Sequence, residues 1–310
     1  MMPCSVGLNR KRLIPALVLL ILCLLFSAPS SAWALDEKQL SVEVKFLLDS
    51  DRVLTDEQLL TEDMLALIGA EPEYRKISAV YLETPARSFD SEGWVNRIRL
   101  KENKKKFERT YKKRYPLSGD DAEAVRAALS RAEADGFDFS DKAVSAELDW
   151  GYSTMTLSVS TESSGKYKDY RSLSSFSTED AVAFLKSAMP EAELNWHEAQ
   201  WGARMLDQAQ MLGPFETQRI QGSWQGAEIQ VDICPMRDGY VTELSLKLDG
   251  LAPASALRER MRALLEEKGL LLPVDSLKTQ TILDEYLSPQ TTDSAAPKAA
   301  AQQPDAGAST

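Results

Sequence analysis

The chain has 310 residues, of which 44% are hydrophobic and 27% are charged, and its formal net charge is −11. This apolar fraction is sufficient for a packed core, while the acidic excess argues against general binding to nucleic acid or to anionic membranes, which would repel the chain. With one histidine in the chain, a histidine-based zinc site and a Ser-His-Asp centre are both disfavoured.

The first 34 residues have the three parts of a secretion signal. Basic residues at 10–12 precede an uncharged apolar run at 13–28, and Ala32-Trp33-Ala34 provides a small-x-small cleavage site. The run is shorter than the ~20 residues of a membrane-spanning helix, so we expect a cleaved signal and a periplasmic or secreted protein. An uncleaved signal that tethers the protein to the membrane stays open as the alternative. Cleavage removes three positive charges and takes the net charge from −11 to −14.

The first elements after the signal are predicted from their hydrophobic spacing. A strand is expected over 40–48, and a helix over 56–67 with Thr55 as its N-cap. A second strand is expected over 77–83, and it ends before Pro85 because proline disfavours helical backbone at the residue that precedes it.

The segment from Arg97 to Arg114 is sharply basic, with ten Lys or Arg and only two Glu. It predicts strands over 94–101 and 107–115, which form a hairpin through the polar turn 102–106. Polar side chains alternate at period two along both strands, as expected when they share one face. Because the rest of the chain is acidic, this basic face favours an internal polyanion-binding pocket over an external docking surface. The alternating residues are Arg97, Arg99 and Lys101 on the first strand and Glu108, Thr110, Lys112 and Arg114 on the second.

The second half of the chain predicts further strands with helices between them. Since strands dominate without strict βαβ alternation, the class is α+β. Strands with inward-facing charge imply an antiparallel eight-stranded barrel, closed or nearly closed into a tunnel, with flanking helices; closure also removes exposed strand edges. In order, we expect a helix over 120–135 stopped by Gly136, one or two strands within 144–161, a helix over 178–187 capped by Thr178, strands over 220–224, 228–233 and 240–248, and a helix over 253–268 ended by Gly269.

These elements define one domain over residues 35–287. The remaining segment, 288–310, consists mostly of Ala, Gln, Pro, Thr and Ser, cannot offset its ordering entropy, and is predicted to be a disordered tail. Cys234 is the single cysteine left after signal cleavage and is expected to be buried without a disulfide partner. His197 is expected on a helix surface or in packing.

Four segments, in chain order, share a pattern with a known family: Val42 to Phe46, Val80 to Pro85, Trp94 to Arg99 with Thr110 to Lys112, and Val231-Asp232 with Gly239 to Leu244. They are similar, in that order, to an opening Glu-x-Glu-x-Lys strand, a Tyr-x-Asp-Thr-Pro strand end, a Leu-Arg-x-Arg and Thr-x-Lys hairpin, and a late Asp…Gly-x-x-x-Glu-x-Glu meander. Together they resemble the CYTH superfamily, the triphosphate tunnel metalloenzymes.

The resemblance implies a tunnel whose basic wall grips phosphates and whose acidic wall holds Mg²⁺ or Mn²⁺. Members hydrolyse tripolyphosphate or thiamine triphosphate, make cyclic AMP, or remove RNA 5′ phosphates. Arginine suits bidentate phosphate contact and lysine acts as a point charge, while magnesium prefers carboxylate oxygens. The phosphate-binding candidates are Lys45, Arg97, Arg99, Lys112, Arg114, Arg219 and Lys278. The metal-ligand candidates are Glu43, Glu147, Asp149 and Glu243.

Three residues depart from the family patterns. Ser41 and Ser245 stand where the family has glutamates, and Glu83 stands where it has aspartate. A serine hydroxyl does not replace a formal negative charge at a magnesium site, although Glu147 and Asp149 could compensate. Three functions therefore stay open: an exported metal-dependent triphosphatase, an inactive module that binds polyphosphate, and a fold whose polar interior is a relic.

The expected partner is a small phosphorylated polyanion such as a triphosphate. Neither nucleic acid nor stable membrane insertion after signal cleavage is expected. The oligomeric state stays open.

Overall fold

The computed structural model describes residues 40–275 and 278–287. The predicted signal at 1–34 and the predicted tail at 288–310 lie outside these ranges, so both remain predictions. Among the helices that are described, none combines the length and the hydropathy needed to cross a membrane.

Nine strands close into one barrel. Around the ring each strand is hydrogen-bonded to the next in the order β1-β5-β6-β4-β3-β2-β7-β8-β9, and β9 pairs back with β1. A two-residue strand, β10, adds to β1 outside the ring. The strands are β1 (Ser41–Leu48), β2 (Arg75–Glu83), β3 (Trp94–Lys101), β4 (Phe107–Pro116), β5 (Val144–Trp150), β6 (Met155–Gly165), β7 (Gln210–Trp224), β8 (Ala227–Met236), β9 (Gly239–Asp249) and β10 (Leu271–Leu272).

The predicted α+β class and the closed barrel are confirmed, but the barrel has nine strands where eight were expected. Every neighbouring pair in the ring is antiparallel except β1 and β5, which run parallel. The parallel pair follows from the strand count, because strand direction cannot alternate all the way round a ring with an odd number of members. The expected fully antiparallel arrangement is therefore wrong at one contact, the parallel seam between β1 and β5.

Eight helices connect or cover the strands in the described ranges. One predicted helix start and one predicted N-cap are wrong. The first of these helices begins at Glu62, where the Thr61 side chain accepts a hydrogen bond from the Met64 amide; the chain around Gln58, with its positive φ of 66°, is a turn. The second is capped by Ser177, not by Thr178. The helices are α1 (Ser50–Val53), α2 (Glu62–Ile68), α3 (Ala122–Ala134), α4 (Thr178–Lys186), α5 (Glu191–Leu194), α6 (Trp201–Asp207), α7 (Leu251–Glu267) and α8 (Lys278–Leu287).

The main hydrophobic core lies outside the barrel, between its outer face and the helices. Along β1, Val42, Val44 and Phe46 are buried in this core, while the alternate side chains Glu43 and Lys45 face the inside. The pleat of each strand sorts side chains between the two faces in this way. The barrel is therefore apolar outside and polar inside, an arrangement that leaves the bore available for a charged ligand.

A second, smaller apolar cluster joins α8 to inward-facing barrel residues. Ile282 and Leu283 are buried there against residues that include Cys234 and Phe215. Cys234 is 1% exposed, so its predicted burial is confirmed. The cluster anchors α8 against the barrel interior and thereby brings Lys278, at the start of the helix, to the bore.

Candidate functional site

The bore encloses a cavity of about 390 Å³. Each of the nine barrel strands contributes at least one side chain to its wall, and α8 adds a tenth element. One lining residue from each element, in chain order, is Glu43, Tyr81, Arg97, Arg114, Glu147, Ser160, Arg219, Asp232, Glu243 and Lys278.

The structure brings the sequence-predicted site residues together. Ten of the eleven line the bore, and the eleventh, Asp149, lines an adjoining cavity and is 3% exposed. The placement puts the predicted cations and carboxylates around one space, while their roles as phosphate and metal ligands remain predictions. The ten are Glu43, Lys45, Arg97, Arg99, Lys112, Arg114, Glu147, Arg219, Glu243 and Lys278.

One wall of the bore is a network of carboxylates and lysines built by the parallel seam. The β1–β5 register sets Glu43 opposite Asp149. The Lys45 ammonium lies 2.6 Å from Asp149 Oδ1 and 2.8 Å from Glu43 Oε2. The Lys112 ammonium lies 2.8 Å from Glu147 Oε1 and 3.7 Å from Asp149 Oδ2. Two ammonium groups thus contact all three carboxylates, which leaves this network one negative charge in excess.

In this network, contacts with opposite charges shift the pKa values more strongly than burial does. Burial alone would raise the pKa of Asp149, but Lys112 and Lys45 hold it well below its usual range, helped by a hydrogen bond that Ser158 donates. Burial would lower the pKa of Lys45, but Asp149 and Glu43 raise it well above its usual value. Both groups are therefore charged at neutral pH.

A second network lies on the β7–β8 wall, where the register pairs Arg219 with Asp232. The Arg219 guanidinium donates from Nε and Nη2 to the two carboxylate oxygens of Asp232, at 2.6 and 2.8 Å. The Lys278 ammonium lies 2.6 Å from Asp232 Oδ2 and 3.9 Å from Glu243 Oε1. Asp232 was not a predicted ligand, although it belongs to the Val231-Asp232 segment that carries the family resemblance.

Arg97 and Arg114 differ from the other predicted cations. Within residues 40–275 and 278–287 neither forms an ion pair with a carboxylate, and the buried Nε of each has no hydrogen-bond partner. Arg97 makes one long contact, 3.4 Å from Nη2 to Thr110 Oγ1. Burial lowers the pKa of Arg114. By contrast, Arg99 lies 2.9 Å from Glu108. Two guanidinium groups therefore line the bore without an internal counter-ion.

The two serines that replace family glutamates occupy different positions. Ser41 is exposed at the start of β1, whereas Ser245 is buried and lines the bore opposite Lys45 in the β1–β9 register. His197, 53% exposed, lies beside Glu92 and does not line the bore. It sits in the short connection between α5 and α6, so the helix-surface alternative is wrong, but its ring packs at 5.7 Å from the ring of Trp201, as the packing alternative expected.

The carboxylates Glu43, Glu147 and Asp149 form the acidic cluster in the described residues that fits a cation. One oxygen from each lies within 4.8 Å of the others. Carboxylate oxygens are the donors that Mg²⁺ and Mn²⁺ prefer, so the donor set fits the implied metal. Glu243, also predicted as a ligand, stands apart from this cluster, near Lys278. An ion at the cluster would take the place that the Lys45 ammonium holds between Glu43 and Asp149.

No protein-family model and no curated protein matches the chain. Among solved structures, it is similar to HpAC1 from Hippeastrum, a proposed adenylyl cyclase described as having a dominant triphosphatase activity, at 15% identity over 78% of this chain and 95% of that one, with a TM-score of 0.47. It is also similar to a proposed adenylate cyclase from Bacillus halodurans, at 15% identity over 78% and 97% of the two chains, with a TM-score of 0.43. A conserved hypothetical protein from Pyrococcus furiosus matches at 15% identity over 76% and 96%, with a TM-score of 0.36.

Proposed function

We propose that this protein binds small phosphate polyanions of the triphosphate type inside its bore. The observation that carries the proposal is the pair Arg97 and Arg114, two half-buried arginines that face the cavity. The Nε atom of each is buried without a hydrogen-bond partner, and neither forms an ion pair with a carboxylate in the described residues. A buried cation without a counter-ion is costly, and an anion that enters the bore would remove this cost. Guanidinium groups also match phosphate oxygens in bidentate geometry.

The charge of the bore supports an anionic ligand. Its lining contains nine Lys or Arg and five Asp or Glu side chains, an excess of four positive charges in a chain whose total is −11. Since the surrounding protein is acidic, the excess is local to the cavity. A volume of about 390 Å³ lies within the range of roughly 300–1,000 Å³ that small-molecule pockets occupy.

Hydrolysis of the bound phosphoanhydride is the second candidate function, and the cluster of Glu43, Glu147 and Asp149 favours it. These residues would hold Mg²⁺ or Mn²⁺, whose chemistry is to neutralise charge on phosphate oxygens. Arg97 and Arg114 would orient the phosphates and offset negative charge that develops during transfer. Against turnover stand Lys45 and Lys112, which already contact the three carboxylates and offset two of their three charges.

Export belongs to the same proposal and is supported by the predicted signal at 1–34. N-terminal sequencing of the protein from the extracytoplasmic fraction is expected to begin near Leu35. Full-length protein that stays with the membrane would favour the tethered alternative, and full-length protein in the cytoplasmic fraction would contradict export.

Calorimetry with inorganic tripolyphosphate tests binding. We expect saturable binding by the purified chain and loss of at least tenfold in affinity in Arg97→Ala and in Arg114→Ala, since each removes a charge-assisted contact worth about 1.5–3 kcal/mol. Lys105→Ala is the matched control, because Lys105 is exposed at the turn between β3 and β4 and does not line the bore. Absence of binding, or equal losses in all three variants, would contradict the proposal.

Phosphate release from tripolyphosphate, measured with Mg²⁺, with Mn²⁺ and with EDTA, separates the two candidates. Release that depends on metal and is lost in Glu147→Gln supports hydrolysis. Binding that persists in EDTA without release supports a polyanion-binding module.

A further inference from the structure

The Lys45 ammonium lies between two carboxylates of the acidic cluster. It is 2.8 Å from Glu43 Oε2 and 2.6 Å from Asp149 Oδ1. A carboxylate oxygen of each of these acidic residues lies within 4.8 Å of one from the other. A divalent cation that bound both carboxylates would need the position of this ammonium, so the metal and the ammonium exclude each other.

The charge of the cluster leads to the same exclusion. Its three carboxylates meet two ammonium groups, which leaves a net charge of −1. A divalent ion added with both lysines in place would change this to +1, and two cations would compete for the same oxygens. With the Lys45 ammonium released, the metal, Lys112 and the three carboxylates sum to zero. The members of the cluster are Glu43, Lys45, Lys112, Glu147 and Asp149.

A released Lys45 ammonium has the bore within reach. The Lys45 side chain lines the bore as well as the adjoining cavity that contains Asp149, and lysine carries its charge on a flexible stem. Opposite Lys45 on β9 stands the neutral Ser245, and Glu243 on the same strand already lies 3.9 Å from the Lys278 ammonium. A phosphate group in the bore would supply the counter-ion that Ser245 does not.

We infer that Lys45 is an exchangeable cation: a divalent metal displaces its ammonium from Glu43 and Asp149, and the displaced ammonium binds phosphate in the bore. The metal and the polyanion then raise each other's affinity, because the coupling free energy between two sites is reciprocal. The phosphate half of this inference rests on the proposed function. The exchange between ammonium and metal does not depend on it.

Calorimetry with Mn²⁺ alone tests the exchange. We expect Lys45→Met and Lys45→Gln to bind Mn²⁺ roughly tenfold or more tightly than the unaltered chain, because the metal no longer displaces an ammonium. Lys45→Gln keeps a donor for Asp149, so the test stands if Lys45→Met is unstable. Lys45→Arg keeps the positive charge and should bind Mn²⁺ as weakly as the unaltered chain. Lys101→Met is the matched control, since Lys101 lines the bore but pairs with Glu108, at 3.1 Å, and it should leave Mn²⁺ affinity unchanged.

Tripolyphosphate affinity of the same proteins tests the phosphate half. In EDTA the Lys45 ammonium stays with its carboxylates, so Lys45→Met should bind tripolyphosphate nearly as well as the unaltered chain. At a Mn²⁺ concentration that saturates the site in both proteins, Lys45→Met should bind it roughly fivefold or more weakly, because a charge-assisted contact is missing. Both proteins meet the same equilibrium between Mn²⁺ and tripolyphosphate in solution, so chelation cancels in the ratio of their affinities. Lys101→Met should give the same ratio in both buffers.

The outcomes separate the exchange from the proposed function. If Lys45→Met and Lys45→Gln bind Mn²⁺ no more tightly than the unaltered chain, or if Lys45→Arg binds it as tightly as they do, the exchange is overturned. If the exchange holds but Lys45→Met loses equal tripolyphosphate affinity in EDTA and in Mn²⁺, the phosphate half is overturned. If the unaltered chain does not bind tripolyphosphate, the proposed function is wrong, and the Mn²⁺ titrations still decide on the exchange.

Discussion

Arg114 carries a half-buried charge that forms no ion pair with a carboxylate in the described residues, although Asp149 and Asp90 attract it from a longer distance. Burial lowers the pKa of its guanidinium, and its Nε has no hydrogen-bond partner within the described residues. Residues that a fold holds at a cost are typical of functional sites, because the cost is removed when a ligand binds. Arg114 therefore links the stability of the empty barrel to its proposed ligand.

We expect Arg114→Met to raise the unfolding free energy of the ligand-free chain by about 1 kcal/mol or more, since an apolar side chain replaces an unpaired buried charge. The same change should abolish the increase in melting temperature that tripolyphosphate produces in the unaltered chain by selective binding to the native state. Thermal unfolding with and without tripolyphosphate measures both effects.

Arg109→Met, on the same strand, is the control for this prediction. The Arg109 guanidinium bonds to Phe184 O and Ser187 Oγ and does not line the bore. Its removal should lower stability and keep the ligand-induced shift. An Arg114→Met protein that is less stable and still responds to tripolyphosphate would contradict the argument.

At the residue scale, the sequence predicted which side chains face the bore but not how they pair. Period-two alternation was sufficient to place Arg97, Arg99 and Lys112 on one face. The ion pairs depend on strand register, because Lys45 meets Asp149 across the β1–β5 seam, 104 residues away in the chain. That register does not follow from local spacing. The sequence alone therefore does not separate the arginines that form ion pairs from those that do not.

The short helix α5 is joined to the barrel through a buried carboxylate. Asn96 Nδ2, on β3, donates to Glu193 Oε1 at 2.7 Å, while Oε2 of Glu193 has no partner in the part of the chain described. Burial raises the pKa of Glu193 to about 8, and the nearby charge of Glu83 adds to the effect. The contact between α5 and the barrel is therefore coupled to pH.

The sign of this coupling follows from proton uptake. Glu193 keeps its proton in the folded chain up to a pKa of about 8, from an ordinary value of 4.5, so the folded state binds more protons between these values. Stability is full below the lower value and falls as pH rises through the window, at up to about 1.4 kcal/mol per pH unit. Urea unfolding at pH 5, 7 and 9 should show the decline.

Glu193→Gln is expected to flatten that decline, because a neutral amide does not titrate. Burial also raises the pKa of Glu83, so a weaker slope of the same sign should remain. Glu191→Gln, at the exposed start of the same helix, should leave the pH profile unchanged. A Glu193→Gln profile as steep as that of the unaltered chain would contradict the assignment.

Helix α2 approaches β7 so closely that only glycine fits at one position. A Cβ at Gly222 would lie 2.2 Å from the backbone oxygen of Ile68, the last residue of the helix. We expect Gly222→Ala to lower the unfolding free energy by about 1–3 kcal/mol, as overpacking does. Gly119→Ala is the control, since its nearest neighbour is 4.0 Å away. Equal urea midpoints for the two variants would contradict the contact.

At the element scale, some strand bounds were predicted and others were not: β7 begins at Gln210, ten residues before its predicted start. The bounds of β3 are those predicted, because one of its faces lies in an apolar environment and the other in a polar one. The start of α2 was misplaced by six residues, since the polar segment before Thr61 has helical spacing but folds as a turn. Helix α8 was not predicted, because its apolar residues pack on the barrel interior, and the sequence gives no sign of that surface.

At the scale of the whole molecule, a buried carboxylate joins neighbouring elements around the bore, because Asp232 on β8 contacts Arg219 on β7 and Lys278 on α8. Burial would raise the pKa of Asp232, but Lys278 and Arg219 hold it well below its ordinary value of 3.8. The stability it contributes is therefore present above about pH 4 and lost as pH falls through the lowered value. We expect a steep loss of stability below pH 4, measured as the urea midpoint from pH 2 to 6.

Asp232→Asn should lower stability at neutral pH by about 3–5 kcal/mol, because it leaves Arg219 and Lys278 without their partner. It should also make the fall of the urea midpoint below pH 4 less steep. The control Asp238→Asn, in the turn between β8 and β9, should change neither. If the urea midpoint of Asp232→Asn falls as steeply below pH 4 as that of the unaltered chain, groups other than Asp232 control acid unfolding.

At the scale of the whole molecule, the α+β class and the tunnel were predictable from inward-facing charge. The strand count was not, because the segment 144–161 reads equally well as one or two strands until their partners are known. The ninth strand affects the site, because an odd number of strands forces the parallel seam between β1 and β5. This seam assembles Glu43, Glu147 and Asp149 into one cluster.

Closure of the ring also sets an order of assembly. Ser41 pairs with Asp249 across the β1–β9 contact, so the strand made first is joined to the one made last. Contacts this distant in the chain form slowly, and a nascent polypeptide lacks its ninth strand until synthesis of the domain is nearly finished. Premature termination before β9 would expose two hydrogen-bonding edges and invite aggregation. A chain whose barrel cannot close early stays unfolded for longer, which the proposed export through a secretion channel would require.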